Sequence, residues 1–153
     1  MAITADYKDA SIKSGVMDGV PKRSPCSMLY VEDNPINAMV VRTILRNRRP
    51  EVNLVICETG DAAYARLRND RPDFLLIDLS LPGTDARDLL MAIRAQPGLA
   101  NIPVAAIIAE HSRDAATRAR DCGFCDYLTK PVVVEKLLHA LDTAVYRRAE
   151  YLS

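Results

Sequence analysis

Apolar residues fall along this chain in two alternating patterns: short unbroken runs, and longer stretches in which they recur at helical spacing. An unbroken run without polar alternation marks a strand buried on both faces. Such runs cover Ser27 to Val31, Val52 to Cys57, Phe74 to Ile77 ending in Asp78, Val104 to Ala109, and Asp126 to Thr129. Between them lie the helical stretches. Asn34 is expected to cap the first, with Pro35 in its first turn. Val40, Val41, Ile44 and Leu45 give it an apolar stripe, with Arg42, Arg46, Arg48 and Arg49 on or near the other side, and Pro50 stops it. Thr59 is expected to cap a second helix through Asn69, with Ala63 and Leu67 inward. Asp85 leads a third carrying Leu89, Leu90 and Ile93, ended by Pro97-Gly98. Ser112 caps a fourth, rich in Ala and Arg and poor in apolar anchors. A fifth runs from about Val134 to Tyr151, with Leu137, Leu138, Leu141 and Val145 inward.

Five strands alternating with five helices through short loops give a parallel sheet with right-handed crossovers. The expected architecture is a flavodoxin-like, doubly wound α/β domain of strand order 2-1-3-4-5, with its ligand crevice at the switch point between strands one and three. Residues 1 to 25 lack apolar periodicity and carry Gly, Ser, Pro and mixed charge, which reads as a disordered leader. Residues 26–150 form the domain.

Composition narrows the function. The chain has 153 residues and zero formal net charge, with 49% apolar and 26% charged residues. That balance gives no electrostatic case for nucleic acid or an anionic membrane. No apolar run approaches a membrane span, and a signal core is missing at the N-terminus. The expectation is a cytoplasmic protein. Cys26, Cys57, Cys122 and Cys125 do not suggest a disulfide framework. Cys122-Gly-Phe-Cys125 has a C-x-x-C spacing, but no second ligand pair completes a zinc site. The pair also follows a helix instead of preceding one, so nothing lowers its thiol pKa.

The chemistry concentrates where the apolar runs stop. Glu32 and Asp33 follow strand one, Asp78 ends strand three and Lys130 follows strand five. In a parallel sheet these positions share one edge. Three carboxylates there repel each other, and a divalent metal with one fixed lysine makes the cluster tolerable. Taken singly, Glu32-Asp33 reads as a strand end before a helix, Asp78 as a turn residue before Pro82-Gly83, and Lys130 as a surface lysine. Taken together they read as a site accepting a phosphoryl group on Asp78.

Three segments resemble the receiver domain of response regulators in two-component signalling: Tyr30-Val-Glu-Asp-Asn-Pro-Ile-Asn37, Leu75-Leu-Ile-Asp-Leu-Ser-Leu-Pro-Gly-Thr-Asp85 and Asp126-Tyr-Leu-Thr-Lys-Pro131. The likeness covers about residues 27 to 147 and is closest in motif to receivers attached to hybrid histidine kinases. It implies that Asp78 takes a phosphoryl group from a kinase phosphohistidine. Asp33, Asp78 and the Ser80 backbone carbonyl would hold Mg²⁺, with Glu32 acting partly through water. Lys130 would pair with a phosphoryl oxygen, and the Lys130-Pro131 bond would be cis. Ser80 and Glu110 occupy the positions that tune phosphoryl lifetime. The implied partners are a histidine kinase or histidine phosphotransfer protein docking beside the first helix, where Arg42, Arg46 and Arg49 lie, and a downstream protein target. That target would meet helix four, strand five and helix five, where a homodimer is also an open option. No output domain is expected. The receiver would not be an enzyme beyond its own phosphorylation and dephosphorylation.

One segment departs from the family. Receivers usually end strand four in Ser or Thr, but Pro103-Val-Ala-Ala-Ile-Ile-Ala109 puts Ile108 there. Isoleucine cannot donate to a phosphoryl oxygen. The family couples that hydroxyl to a swinging aromatic, here Tyr127. A charge-assisted hydrogen bond is worth roughly 1.5–3 kcal/mol, so the switch is expected to be weakened or differently wired. The alternative is a phosphorylation-independent pseudo-receiver acting as an interaction module. A small phosphohydrolase with an aspartyl intermediate would want an acid two residues after the nucleophile, where Ser80 stands. His111 and His139 have no ligand partners and read as bystanders.

Overall fold

The computed structural model describes residues 23–109 and 113–152, with side chains through Tyr146. Strands β1 (Cys26–Val31), β2 (Val52–Cys57), β3 (Phe74–Asp78), β4 (Val104–Ile108) and β5 (Asp126–Thr129) alternate with helices. These are α1 (Pro35–Arg48), α2 (Gly60–Arg66), α3 (Ala86–Arg94), α4 (Arg113–Cys122) and α5 (Val134–Leu152). All strand pairs are parallel, in the expected order β2-β1-β3-β4-β5.

Every residue of β3 and β4 is buried, because both sheet faces are covered. Alternate positions point to opposite faces. Met28, Tyr30, Phe74, Leu76, Ala105, Ile107 and Leu128 pack with α1 and α5 through Val41, Ile44, Leu45, Leu137 and Leu141. Leu29, Val31, Leu75, Ile77, Val104 and Ala106 pack with α2, α3 and α4 through Ala63, Leu89, Leu90, Ile93 and Ala119. Each large aliphatic buried this way contributes roughly 1.5–3 kcal/mol.

The helix starts follow the sequence. Asn34 Oδ1 accepts from the backbone N–H groups of Ile36 and Asn37, at 2.8 and 3.3 Å. Thr59 Oγ1 accepts from Ala62 at 3.0 Å, and Asp85 Oδ1 from Arg87 and Asp88 at 2.8 and 3.1 Å. The ends differ more. Helix α2 stops at Arg66 and does not reach Asn69, because Arg68 and Asn69 turn back with tighter bonds to the carbonyls of Ala65 and Arg66. Strand β4 ends at Ile108, one residue short of Ala109. Val40 is exposed, since the core-facing stripe of α1 is met by Val41, Ile44 and Leu45 alone. Helix α4 buries only Ala116 and Ala119. Its expected cap, Ser112, lies outside the described residues, as does most of the expected leader. Among the described residues, no helix is long and apolar enough to cross a membrane.

The register fixes the site. Val31 pairs with Ile77, Asp78 with Ile107, and Ile108 with Thr129. Glu32 and Asp78 are therefore level at the same carboxyl edge, and Lys130 lies two residues further along it.

Candidate functional site

Glu32 and Asp78 are each only 1% exposed, although both carry carboxyl groups. Asp33 beside them is exposed. One carboxylate oxygen from each of the three lies within 4.8 Å of the others. Two buried like charges at that range cost several kcal/mol unless compensated, and the structure shows how each is held.

Asp78 is gripped through both oxygens. Oδ1 accepts from the Ser80 N–H at 2.9 Å and from the Ser80 hydroxyl at 2.7 Å. Oδ2 accepts from Lys130 Nζ at 2.9 Å, and the same ammonium donates to Ser80 Oγ at 3.2 Å. Lys130 is placed by its main chain, whose N–H donates to the Ile108 carbonyl at 3.0 Å. The Lys130-Pro131 bond is cis. Burial pulls the Asp78 carboxyl upward, but the bonds from Lys130 and Ser80 outweigh it and hold the group below the usual range. The Lys130 ammonium and the Ser80 donors thus favour the charged form of Asp78.

Glu32 sits differently. Its Oε1 accepts from the Tyr30 hydroxyl at 2.6 Å and its Oε2 from the Asn34 N–H at 3.1 Å. Burial pushes its carboxyl above the usual range, with the neighbouring Asp78 adding to the rise and those two bonds only partly offsetting it. The three carboxylates form an all-oxygen donor set, short of positive charge and partly desolvated. That set fits a hard divalent cation such as Mg²⁺, which takes one or two carboxylates and keeps several waters.

Two contacts here have no signal in the sequence. Tyr30 reads as one more apolar strand residue, and only its i, i+2 relation to Glu32 on one strand face hints at the bond. The Ser80 side chain, expected only as a lifetime position and through its carbonyl, touches both Asp78 and Lys130. Other expectations change. Arg49 is not presented on α1 beside Arg42 and Arg46, which are exposed. It caps the helix, and its Nη2 pairs with Asp142 Oδ2 on α5 at 2.6 Å. His139 is exposed on α5. Glu110 and His111 lie outside the described residues. Ile108 is 2% exposed at the end of β4, and Tyr127 is half-buried.

The cysteine pair belongs to a turn. Cys122 ends α4, Gly123 adopts φ +103° and bonds back to the Arg120 carbonyl, and the chain enters β5. That φ favours glycine. Cys125 is exposed, and its thiol is pushed up by partial desolvation and then by Asp126.

Comparison with known proteins adds four findings. The family model described as the response regulator receiver domain matches residues 28–142. The chain is 31% identical over 130 residues to the sensor protein GacS of Pseudomonas syringae, covering 83% of this chain but 14% of that protein. It is 30% identical over 115 residues to the chemotaxis protein CheY of Pseudomonas aeruginosa, covering 75% of this chain and 92% of CheY. Among solved structures it resembles the receiver domain of the sensor histidine kinase PA1611 of Pseudomonas aeruginosa, which has a magnesium ion coordinated in its active site cleft. The TM-score is 0.71 and the identity 28%, over 80% of this chain and 98% of the other.

Proposed function

Because the chain belongs to the response regulator receiver domain family, we propose that it accepts a phosphoryl group from a phosphohistidine onto Asp78 in a Mg²⁺-dependent phosphorelay. The observation that carries this reading is the Lys130 ammonium 2.9 Å from Oδ2 of a buried Asp78, beside Glu32 and Asp33.

In that reaction an Asp78 carboxylate oxygen attacks phosphorus. The P–O bond forms as the P–N bond to the donor imidazole breaks, and the imidazole leaves with that electron pair. Lys130 neutralises charge on the transferred group, as phosphoryl transfer requires. Asp33, Asp78 and the Ser80 backbone carbonyl would hold Mg²⁺, with Glu32 through water; the ion supplies charge neutralisation at the phosphoryl oxygens. The Ser80 hydroxyl, already on Asp78, tunes phosphoryl lifetime together with Glu110. The donor is a histidine kinase or histidine phosphotransfer protein, and a cytoplasmic location goes with that donor. The exposed apolar side chains of Ile36, Met39, Val40 and Val133 support a docking face. Helix α1 begins two residues after Asp33 and Val133 stands two after Pro131, so the start of that helix and Val133 follow the site residues closely in the chain. Output runs by protein contact through α4, β5 and α5, where a homodimer would also form.

A second reading is favoured by one observation. Ile108 removes the hydroxyl that drives the usual switch, so the chain can act as an interaction module whose output does not need phosphate. Asp78→Asn separates the two: it abolishes output in the first reading and leaves it intact in the second. The phosphoacceptor reading itself is tested by intact mass after acetyl phosphate and Mg²⁺. One phosphoryl adduct on the wild type and none on Asp78→Asn is the expected result.

A further inference from the structure

We propose that Tyr30 is a positioning residue for the cation site: its buried hydroxyl fixes Glu32 as a one-point acidic group and so favours Mg²⁺ over Ca²⁺. The inference rests on the reading of the acidic cluster as a cation site.

Tyr30 lies on β1 with 0% exposure, in the core that contains Met28, Phe74, Leu76 and Ile107. A phenylalanine would fill the same volume, so the hydroxyl is not needed for packing. It is delivered on a rigid ring to Glu32, two residues on and on the same strand face, at 2.6 Å. The other carboxylate oxygen is taken by the Asn34 N–H at 3.1 Å. Glu32 is therefore clamped from the core on one side and from the entry to α1 on the other. Its carboxylate cannot turn without breaking a bond inside the protein.

The clamp has a chemical consequence. Each Glu32 oxygen already accepts one hydrogen bond from a protein donor and keeps one free lone-pair site, so the held carboxylate can accept from an ion-bound water but cannot swing to bring both oxygens onto one ion. Ca²⁺ takes six to eight oxygens and readily accepts bidentate carboxylates, whereas Mg²⁺ needs only one or two carboxylates and keeps its waters. A clamped Glu32 thus suits the smaller ion. Groups that orient a metal ligand commonly matter about ten- to a hundred-fold in metal affinity. The competing explanation is that a buried tyrosine hydroxyl needs some acceptor and Glu32 merely supplies it. That role would affect stability and leave cation preference alone.

The test uses the full chain without any phosphodonor. Mg²⁺ and Ca²⁺ dissociation constants are measured by calorimetry and by the Ser80 amide resonance, on wild type and Tyr30→Phe. Expected is about ten-fold weaker Mg²⁺ binding with Ca²⁺ weakened less or strengthened, and no such change when Tyr30→Phe is made in a Glu32→Gln background. An unchanged preference between the ions, or the same change without Glu32, overturns the proposal. A wild type that binds no Mg²⁺ overturns the cation reading and this proposal with it. Should Tyr30→Phe fail to fold, the wild type still decides. Its Tyr30 ¹³Cζ resonance is expected to move with Mg²⁺ at the same midpoint as the Ser80 amide, and a resonance that stays fixed contradicts the proposal.

Discussion

Arg120 lies over the ring of Tyr127, 5.0 Å from its centroid, and its Nη2 donates to the Tyr127 hydroxyl at 3.2 Å. The two contacts tie the aromatic of β5 to α4. Partly exposed cation–π pairs are worth about 0.5–1 kcal/mol. At the end of β4, Ile108 offers no hydroxyl to draw toward a phosphoryl group. Phosphorylation is therefore expected to leave the Tyr127 ring and the α4 amides nearly where they are. Aromatic and amide NMR spectra before and after acetyl phosphate check this. Arg120→Ala is expected to free the ring and enlarge its response. A large shift of Tyr127 in the wild type would count against the tie.

Ile36 and Met39 are 71% and 65% exposed on the first turns of α1. If they meet the histidine donor, Ile36→Asp or Met39→Asp slows transfer from a phosphohistidine protein by about five- to ten-fold, the loss of one good interface contact. Labelling by acetyl phosphate stays unchanged, because the small donor needs no docking face. Equal loss with both donors would mean that the site itself was damaged.

Arg49 is a structural residue on this account. It joins the end of α1 to α5 through two bonds to Asp142, from Nε at 3.3 Å and from Nη2 at 2.6 Å. The pair is partly exposed, so Arg49→Ala is expected to lower unfolding stability by on the order of 1 kcal/mol. Urea unfolding measures that loss, and phosphotransfer rates should not move. Slower transfer with unchanged stability would return Arg49 to the docking surface.

The cluster also predicts a pH dependence. Glu32 is raised above its ordinary 4.5, so the folded chain holds that proton to higher pH than the unfolded one. Metal-free stability therefore falls as pH rises from 4.5 toward the Glu32 value in the folded state. Asp78 is shifted the other way, and its contribution is lost only as pH falls below its ordinary 3.8. Saturating Mg²⁺ is expected to flatten or reverse the first slope, since it favours ionised Glu32. Thermal melts across this range, with and without Mg²⁺, read both effects.

The sheet was legible because its strands are buried on both faces, which makes their apolar runs continuous. Asn34, Thr59 and Asp85 marked the helix starts because a capping side chain acts within three residues of itself. The meeting of Asp78 and Lys130 was legible from topology, since both stand at strand ends. What stayed hidden depends on contacts across the fold. Nothing local distinguishes Arg49, paired with Asp142 on α5, from the exposed Arg42 and Arg46. Tyr30 and Tyr127 are both aromatic residues in strands, yet one hydroxyl serves Glu32 and the other Arg120. Val40 satisfies the helical period as well as Val41 does, yet only Val41 is buried. The short α2 follows from turn bonds after Ala65 that no spacing rule foretells.

In the proposed reaction Asp78 carries the phosphoryl group under the charge of Lys130. The most direct measurement is intact mass after incubation with acetyl phosphate, with and without Mg²⁺, on wild type, Asp78→Asn and Lys130→Ala. A single phosphoryl adduct is expected on the wild type only when Mg²⁺ is present, none on Asp78→Asn, and a reduced yield on Lys130→Ala. An adduct that survives Asp78→Asn, or a wild type that takes none, would contradict that reaction.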